Sequence, residues 1–480
     1  MTIDLVPTFD EQFATGTLPR DFQYGFATAA WQVEGGWDQD GRGPCVWDDL
    51  AAKPGTIANG DNGHVAANSY NLWREDVRVL KELGARVYRF SVSWSRVIPK
   101  GGRGDEVNEA GVAYYSNLVD ALLEAGIEPC VTIFHWDLPS ALEARYGGWS
   151  SREIIADFGH YARLLFTRLG DRVKHWITIN EPFIVLRNMS RGVKPNYDWE
   201  IDTWRIPGHM ILAHAAAVKA YRDDFAHQGG DIGICLNCDW FEPLGDSQEA
   251  QIAPQARRDT YLGLYADPIY LGRFPQRCID TAGDRLPQFT DAEWAMVKGS
   301  SDVFYLNSYS THWFTGEKLT DETKEMYGGY VSTQVDAEGR LIGEAGQPGF
   351  LKTVPWGFRK IVTYIHERYL APTSLPLVIS ENGFSIAKEA TLGLPRVLDD
   401  TKRIDYFRAY IGELVKAANE DGVNVRGYYA WSLLDNIEWM AGFECLFGSV
   451  FVDRENGHAR HIKKSGYWLK EYFEAATKHV

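Results

Sequence analysis

Cysteine is sparse in this chain, six in 480 residues, and its placement excludes most of what cysteine clusters do. Cys130 and Cys235 fall inside apolar, strand-like runs, where a buried free thiol is the ordinary outcome. Cys235 and Cys238 form a C-x-x-C within DIGICLNCDW, but strand alternation sends those two side chains to opposite faces, and no second pair completes a zinc site. Neither a redox pair nor a metal centre is expected, and this usage suits a reducing cytoplasm. Positive charge is also in deficit: 49 Lys and Arg stand against 65 Asp and Glu, a net charge of −16 with no basic run. That balance argues against nucleic acid or an anionic membrane as partner. No apolar stretch approaches the roughly 20 residues of a membrane span. The opening MTIDLVPTFDEQF has early acids and lacks the apolar segment of a secretory signal, so the NMS sequon at Asn188 carries little weight. Glycine-rich phosphate loops, nicotinamide fingerprints, metal-ligand spacings and Ser-His-Asp signatures are missing too, so no cofactor is expected. A monomer or weak homo-oligomer is the expectation for assembly.

Linkers are equally scarce. No Pro-rich, Gly/Ser-rich or single-charge stretch divides the sequence, so residues 1–480 read as one domain. Eight apolar strand candidates recur instead: 22–30, 85–94, 127–136, 175–182, 231–240, 301–310, 375–383 and 425–435. Segments of helical period lie between them. Val112, Tyr115, Val119, Leu122 and Leu123 mark one, stopped by Gly126; Ile404, Phe407, Ile411, Leu414, Val415 and Ala418 mark another, stopped by Gly422. Alternating strands and helices imply parallel strands with helices outside, and eight units predict an α/β fold, a (β/α)8 barrel. The surplus length goes into extended βα loops, chiefly 183–205 and 311–356. The second holds a predicted hairpin turning at Asp336–Gly339.

What the chain has in excess is aromatic side chains, 13% including 17 Trp. Such rings stack well on flat apolar ligand faces. Polar and aromatic residues also gather at the C-terminal ends of the predicted strands. The run HWITINEPF shows why this matters. Trp176, Ile177 and Ile179 make a buried strand, yet it ends in Asn180, Glu181 and Pro182, and Pro cannot continue a central strand. Gln32 and Glu34 follow the first strand, Trp94 the second, and His135 and Trp136 the third. Asn237 and Trp240 mark the fifth, Asn307 and Tyr309 the sixth, Glu381 and Asn382 the seventh, Trp431 the eighth, with Glu438 and Trp439 just beyond. In a barrel these ends converge on one rim, where active sites sit.

Two glutamates dominate that set. Either one alone reads equally as a helix N-terminal acid or a solvated loop charge. On strands four and seven of one ring, Glu181 and Glu381 would face each other across the mouth. Two facing carboxylates in a pocket of Trp, Asn, Gln and His suit cleavage of a glycosidic bond.

TINEP and ISENG resemble the two catalytic signatures of the family 1 glycoside hydrolases, and intracellular fungal β-glucosidases are the nearest likeness. FATAAWQVEGG, YRFSVSWSRVIP, FHWDLP and WSLLDNIEW are similar to further family motifs, so the resemblance runs almost the whole chain. It implies a retaining, double-displacement β-glucosidase with Glu181 as acid/base and Glu381 as nucleophile. Arg89 and Tyr309 would favour ionised Glu381, and Asn307 would support the pair. Gln32, His135, Trp136, Asn180, Glu438 and Trp439 would bind the sugar, with Trp431 as an apolar floor. Glu438 implies an unphosphorylated hexose, because a carboxylate there repels a 6-phosphate. Cellobiose, short cello-oligosaccharides and aryl β-glucosides are the implied substrates, and cellulose breakdown the implied setting.

The chain departs from the family pattern at Trp31 (usually Tyr), Asn68 (usually Asp), Ser380 (usually Thr) and in the segment after NEP. Two other readings stay open at this point: an enzyme that mainly transfers glucosyl groups to sugar hydroxyls, and a sugar-sensing barrel with little turnover.

Overall fold

The computed structural model describes residues 17–478; the N-terminal stretch read above for a secretory signal lies outside them. The eight predicted strands form as β1 (Gln23–Ala27), β2 (Val87–Ser91), β3 (Glu128–Phe134), β4 (His175–Asn180), β5 (Asp231–Asn237), β6 (Phe304–Asn307), β7 (Leu377–Asn382) and β8 (Val425–Trp431). They pair in chain order, all parallel, and β8 closes the ring on β1. Their residues are buried on both faces, as a parallel sheet wrapped in helices requires. Both predicted helices form, over Glu109–Glu124 and Thr401–Glu420. Gly126 and Gly422 stop them with φ of +77° and +72°, a conformation that glycine adopts without steric cost. Leu123, grouped with the core stripe above, is instead 40% exposed, since only its neighbour Leu122 faces the barrel.

The long loops carry their own structure. After β4 comes a helix (Pro182–Asn188), a wide turn (Met189–Val193) and then a long helix (Asp202–Ala220). The 311–356 segment builds a three-stranded sheet in which Thr311–Lys318 pairs with Trp240–Pro243 and with Tyr330–Thr333. Trp240 therefore belongs to this outer sheet and not to the barrel. The Asp336–Gly339 turn forms, with Gly339 N–H donating to the Asp336 carbonyl at 3.1 Å and a bridge between Val335 and Leu341.

The ladder breaks register at the two positions that matter most. β4 and β5 slip between Ile177 and Asn180, and β6 and β7 slip between Ile379 and Glu381. Bulges of this kind re-aim a strand's last side chains, here the two that carry carboxylates. Just past β7, a Cβ on Gly383 would sit 1.8 Å from the Trp431 carbonyl oxygen of β8. Gly383→Ala is therefore expected to destabilise by about 1–3 kcal/mol or more, read as a lower thermal midpoint. Gly412, mid-helix with open space around it, supplies the opposite sign: Gly412→Ala should stabilise by about 0.5–1 kcal/mol.

Candidate active site

Glu181 answers the question posed by HWITINEPF. Pro182 does not interrupt a strand; it occupies the first position of the next helix, where its missing N–H has no partner to lose. Glu181 makes the turn between them in the left-handed region, φ +46°, with its N–H donating to the Cys235 carbonyl at 2.9 Å. Glu181 is 6% exposed and Glu381 4%.

One asparagine sits between the glutamates. Asn307 Nδ2 donates to Glu181 Oε1 at 2.6 Å and to Asn180 Oδ1 at 3.1 Å. Its orientation is fixed from the other end, where Oδ1 accepts from Ser380 Oγ at 2.8 Å and from the Cys235 thiol at 3.1 Å. Ser380 thus serves where the family pattern has Thr, and Cys235 is a buried thiol supporting the site. All six cysteines are free and buried, and no group of three or more His, Cys, Asp or Glu among the described residues is arranged to hold a metal ion.

Glu381 is held by different groups. Arg89 Nη1 donates to its Oε1 at 2.7 Å and Tyr309 OH to its Oε2 at 2.7 Å. Burial raises both carboxyls, because a low-dielectric wall penalises the charged form. For Glu181 burial, then the Glu381 charge, push the pKa up to about 8 against the opposing Asn307 bond. For Glu381 burial also raises the value, but the Arg89 guanidinium and the Tyr309 hydroxyl restrain it. Glu181 therefore holds its proton at neutral pH, beside a partner stabilised as the anion.

A cleft of about 610 Å³ opens over the pair, within the range of small-molecule sites. His135, Trp136, Asn307, Tyr309, Trp431, Glu438 and Trp439 line it with both glutamates. Arg89, Gln32 and Asn180 adjoin that wall and are almost fully buried. Gln32 Nε2 donates to Asn436 Oδ1, the Ile437 carbonyl and Glu438 Oε2 at 3.0, 3.0 and 3.3 Å, so it positions the loop that carries Glu438. Asn180 Nδ2 donates to His135 Nε2 at 3.0 Å, which leaves the proton on Nδ1; burial, then Arg89, keeps the ring neutral. Glu438 is itself raised to about 8 by burial and the nearby Glu381 charge. Trp136 and Trp439 both adopt positive φ, +76° and +51°, and their rings pack at 4.3 Å. Trp31, the first departure, stacks on Trp439 at 5.5 Å and donates its indole N–H to Asp48 at 2.9 Å.

Other strand-end residues do not belong to the cleft. Glu34 pairs with Arg96 at 2.9 Å, Trp94 packs on Tyr161 at 4.7 Å in the core, and Trp240 carries Arg258 over its ring at 4.5 Å. Asn382 donates to the Ser308 carbonyl at 2.7 Å. Asn68, the second departure, accepts from Asn71 Nδ2 at 2.7 Å within its own turn. Conversely, Asp239 went unnoticed in the sequence: its Oδ1 accepts the N–H groups of Tyr309 and Ser310 at 2.8 and 2.9 Å, fixing the stretch that aims Tyr309. Its one signal was an acid two residues beyond a strand end.

The 431–439 segment is anchored from below by buried charge. Lys463 Nζ reaches Asp435 and Glu389, both at 2.9 Å, and Arg403 pairs with Glu389 and Asp400. These groups are almost fully buried and mutually compensated, as buried charges must be.

Three comparisons with known proteins agree. The family model described as Glycosyl hydrolase family 1 matches residues 14–478. Beta-glucosidase 1B of Phanerodontia chrysosporium is 45% identical, covering 95% of this chain and 86% of that protein. Among solved structures, beta-glucosidase 2 from Trichoderma reesei in complex with Tris superposes with a TM-score of 0.92 at 43% identity, covering 96% of this chain and 100% of that one. A β-glucosidase from Humicola insolens in complex with glucose gives 0.91 at 42% identity, covering 95% and 98%.

Each carboxyl can be shifted through its own donor. Tyr309→Phe removes a bond to ionised Glu381 and should move that titration to higher pH by about one pH unit. Asn307→Ala should do the same to Glu181, above its value of about 8. Carboxyl-labelled NMR titrations of the two variants check both shifts; unmoved curves would contradict this assignment of the hydrogen bonds.

Proposed function

We propose that this chain, a member of glycosyl hydrolase family 1 and a β-glucosidase like the relatives and solved structures it matches, cleaves terminal β-D-glucosyl units with retention, by double displacement. The observation that carries this reading is the unequal pair of buried carboxyls, Glu181 raised to about 8 and Glu381 restrained by Arg89 and Tyr309. Glu381 attacks the anomeric carbon as Glu181 protonates the departing oxygen. Esterification removes the Glu381 charge, which is second only to burial in raising Glu181. Glu181 then ionises more readily and takes a proton from water, whose oxygen displaces Glu381 and releases glucose.

The sugar is held by Gln32, His135, Trp136, Asn180, Glu438 and Trp439, over Trp431. The carboxyl of Glu438 favours a hexose with a free 6-hydroxyl. Cellobiose, short cello-oligosaccharides and aryl β-glucosides are the expected substrates, which would place the protein in cellulose breakdown. Six free thiols fit a cytoplasmic setting. The same glycosyl intermediate could pass to a sugar hydroxyl; the aromatic walls outside the glucose position favour such acceptors, and disaccharide products at high cellobiose would reveal it. Two poised carboxyls weigh against a sensing barrel with little turnover.

Three outcomes test the mechanism. The kcat/KM profile should fall above pH about 8, as Glu181 loses the proton it must donate. Glu181→Gln should slow cellobiose hydrolysis by about 10²–10⁴-fold while sparing kcat/KM for aryl glucosides whose leaving group needs no proton, with kcat for those substrates limited by hydrolysis of the glycosyl-enzyme. Glu381→Gly should be inactive, with added azide giving the α-glucosyl azide; wild-type turnover by that variant would end the proposal.

A further inference from the structure

Outside the glucose position the cleft changes sign. The chain carries −16 overall and the cleft floor holds Glu181, Glu381 and Glu438, yet Arg187, Arg191 and Arg257 line the outer wall. Arg187 lies in the last turn of the helix that begins at Pro182, Arg191 in the turn that follows, and Arg257 in the helix over Gln248–Arg258. None of the three makes an ion pair with a described residue, although the chain pairs most of its other arginines. Arg187 Nε, Arg257 Nε and Arg257 Nη1 are buried without any protein acceptor.

Arg257 is held by rings instead. Its guanidinium lies 4.2 Å from the Tyr327 ring centroid, 4.9 Å from Tyr261, 5.5 Å from Phe183 and 5.8 Å from Phe241. Ring faces stabilise a cation but leave its N–H edge unused. Burial, and then the charge of Arg187, work against the charged form of Arg257. Guanidinium groups lining one wall of the cleft, with N–H donors that meet no protein acceptor, form an arrangement that an oxyanion would complete.

We propose that this wall is a subsite for a β-glucoside whose leaving group is an aromatic ring bearing a carboxylate, the ring lying against Tyr261 and Tyr327 and the carboxylate accepting from Arg187 and Arg257. The inference rests on the hydrolytic reading above and narrows its substrate class. Aromatic walls suit the flat body of such an aglycone, and the planar fork of arginine suits a carboxylate. Asn237, which also lines the cleft and donates to Tyr261 OH at 2.7 Å, fixes the orientation of that hydroxyl. A competing role for Arg187 is to tune Glu181, whose pKa it lowers through its charge.

The experiment compares carboxyphenyl β-glucosides, substituted at the 3- or 4-position, with their methyl esters. In the wild-type enzyme the acid form of one isomer should be preferred in kcat/KM by about tenfold at low salt, and the preference should shrink as salt screens the charges. Arg257→Met and Arg187→Met should each erase most of that ratio. If Arg257→Met loses its thermal transition, Arg187→Met and the wild-type salt series carry the test alone. Equal rates for acid and ester in the wild-type enzyme would overturn the inference. So would an Arg187→Met variant that moves the alkaline limb of the pH profile and leaves the ratio intact. Failure to hydrolyse 4-nitrophenyl β-glucoside at all would instead overturn the proposed function, so the two failures are distinguishable.

Discussion

The site depends on where Arg89 puts its guanidinium. It is 1% exposed and donates to Thr132 on β3, Asn180 on β4, and the Ser380 carbonyl and Glu381 on β7, at 3.1, 2.6, 2.9 and 2.7 Å. A cation so deeply buried must be compensated or the fold pays heavily. The compensation comes from strands on both sides of the barrel, so closure of the ring and placement of Glu381 are one event. The same arginine donates to the side-chain oxygen of Asn180, whose side-chain nitrogen is thereby turned toward His135. Geometry, charge and tautomer at three positions thus follow from one residue in YRF.

The chemistry follows from how unequally the walls treat two like groups. Glu181 and Glu381 share burial, and each makes ionisation of the other harder. Only Glu381 faces a guanidinium in contact; Glu181 has a neutral amide. Placing the fixed cation on one side separates the protonation states of the pair without any metal ion in the argument. The third carboxyl, Glu438, is raised by the same field, and its contact with Gln32 links the loop after β8 to the turn after β1.

Much of this was legible in the residues. Every barrel strand was visible as an apolar run, because a strand buried on both faces needs no alternation to be recognised. The strand-end glutamates were visible because a charge at the end of such a run has to be explained. Supporting contacts were harder to place: Gln32 and Asn180 were legible as residues beside the site, and only the folded contacts show that they also brace Glu438 and His135. Trp94 and Glu34 looked like rim residues yet proved to be core packing and an ion pair, since both lie past their strands in short helical turns, where strand alternation no longer sets the direction of a side chain. Arg187 and Arg257 carried no local signal. Their meaning comes from two loops meeting, and from partners that are missing.

The buried ions beneath Asp435 have an effect on timing. Lys463, which fixes Asp435 and Glu389, follows every barrel strand in the sequence, and Ser465 donates its N–H to Asp400 at 2.8 Å. A nascent polypeptide halted before residue 463 would already contain both glutamates and every barrel strand, but the support under its tryptophan floor would not yet exist. The tryptophan floor is therefore supported only once the 463–465 stretch has docked, a later step than assembly of the ring that aims the two glutamates.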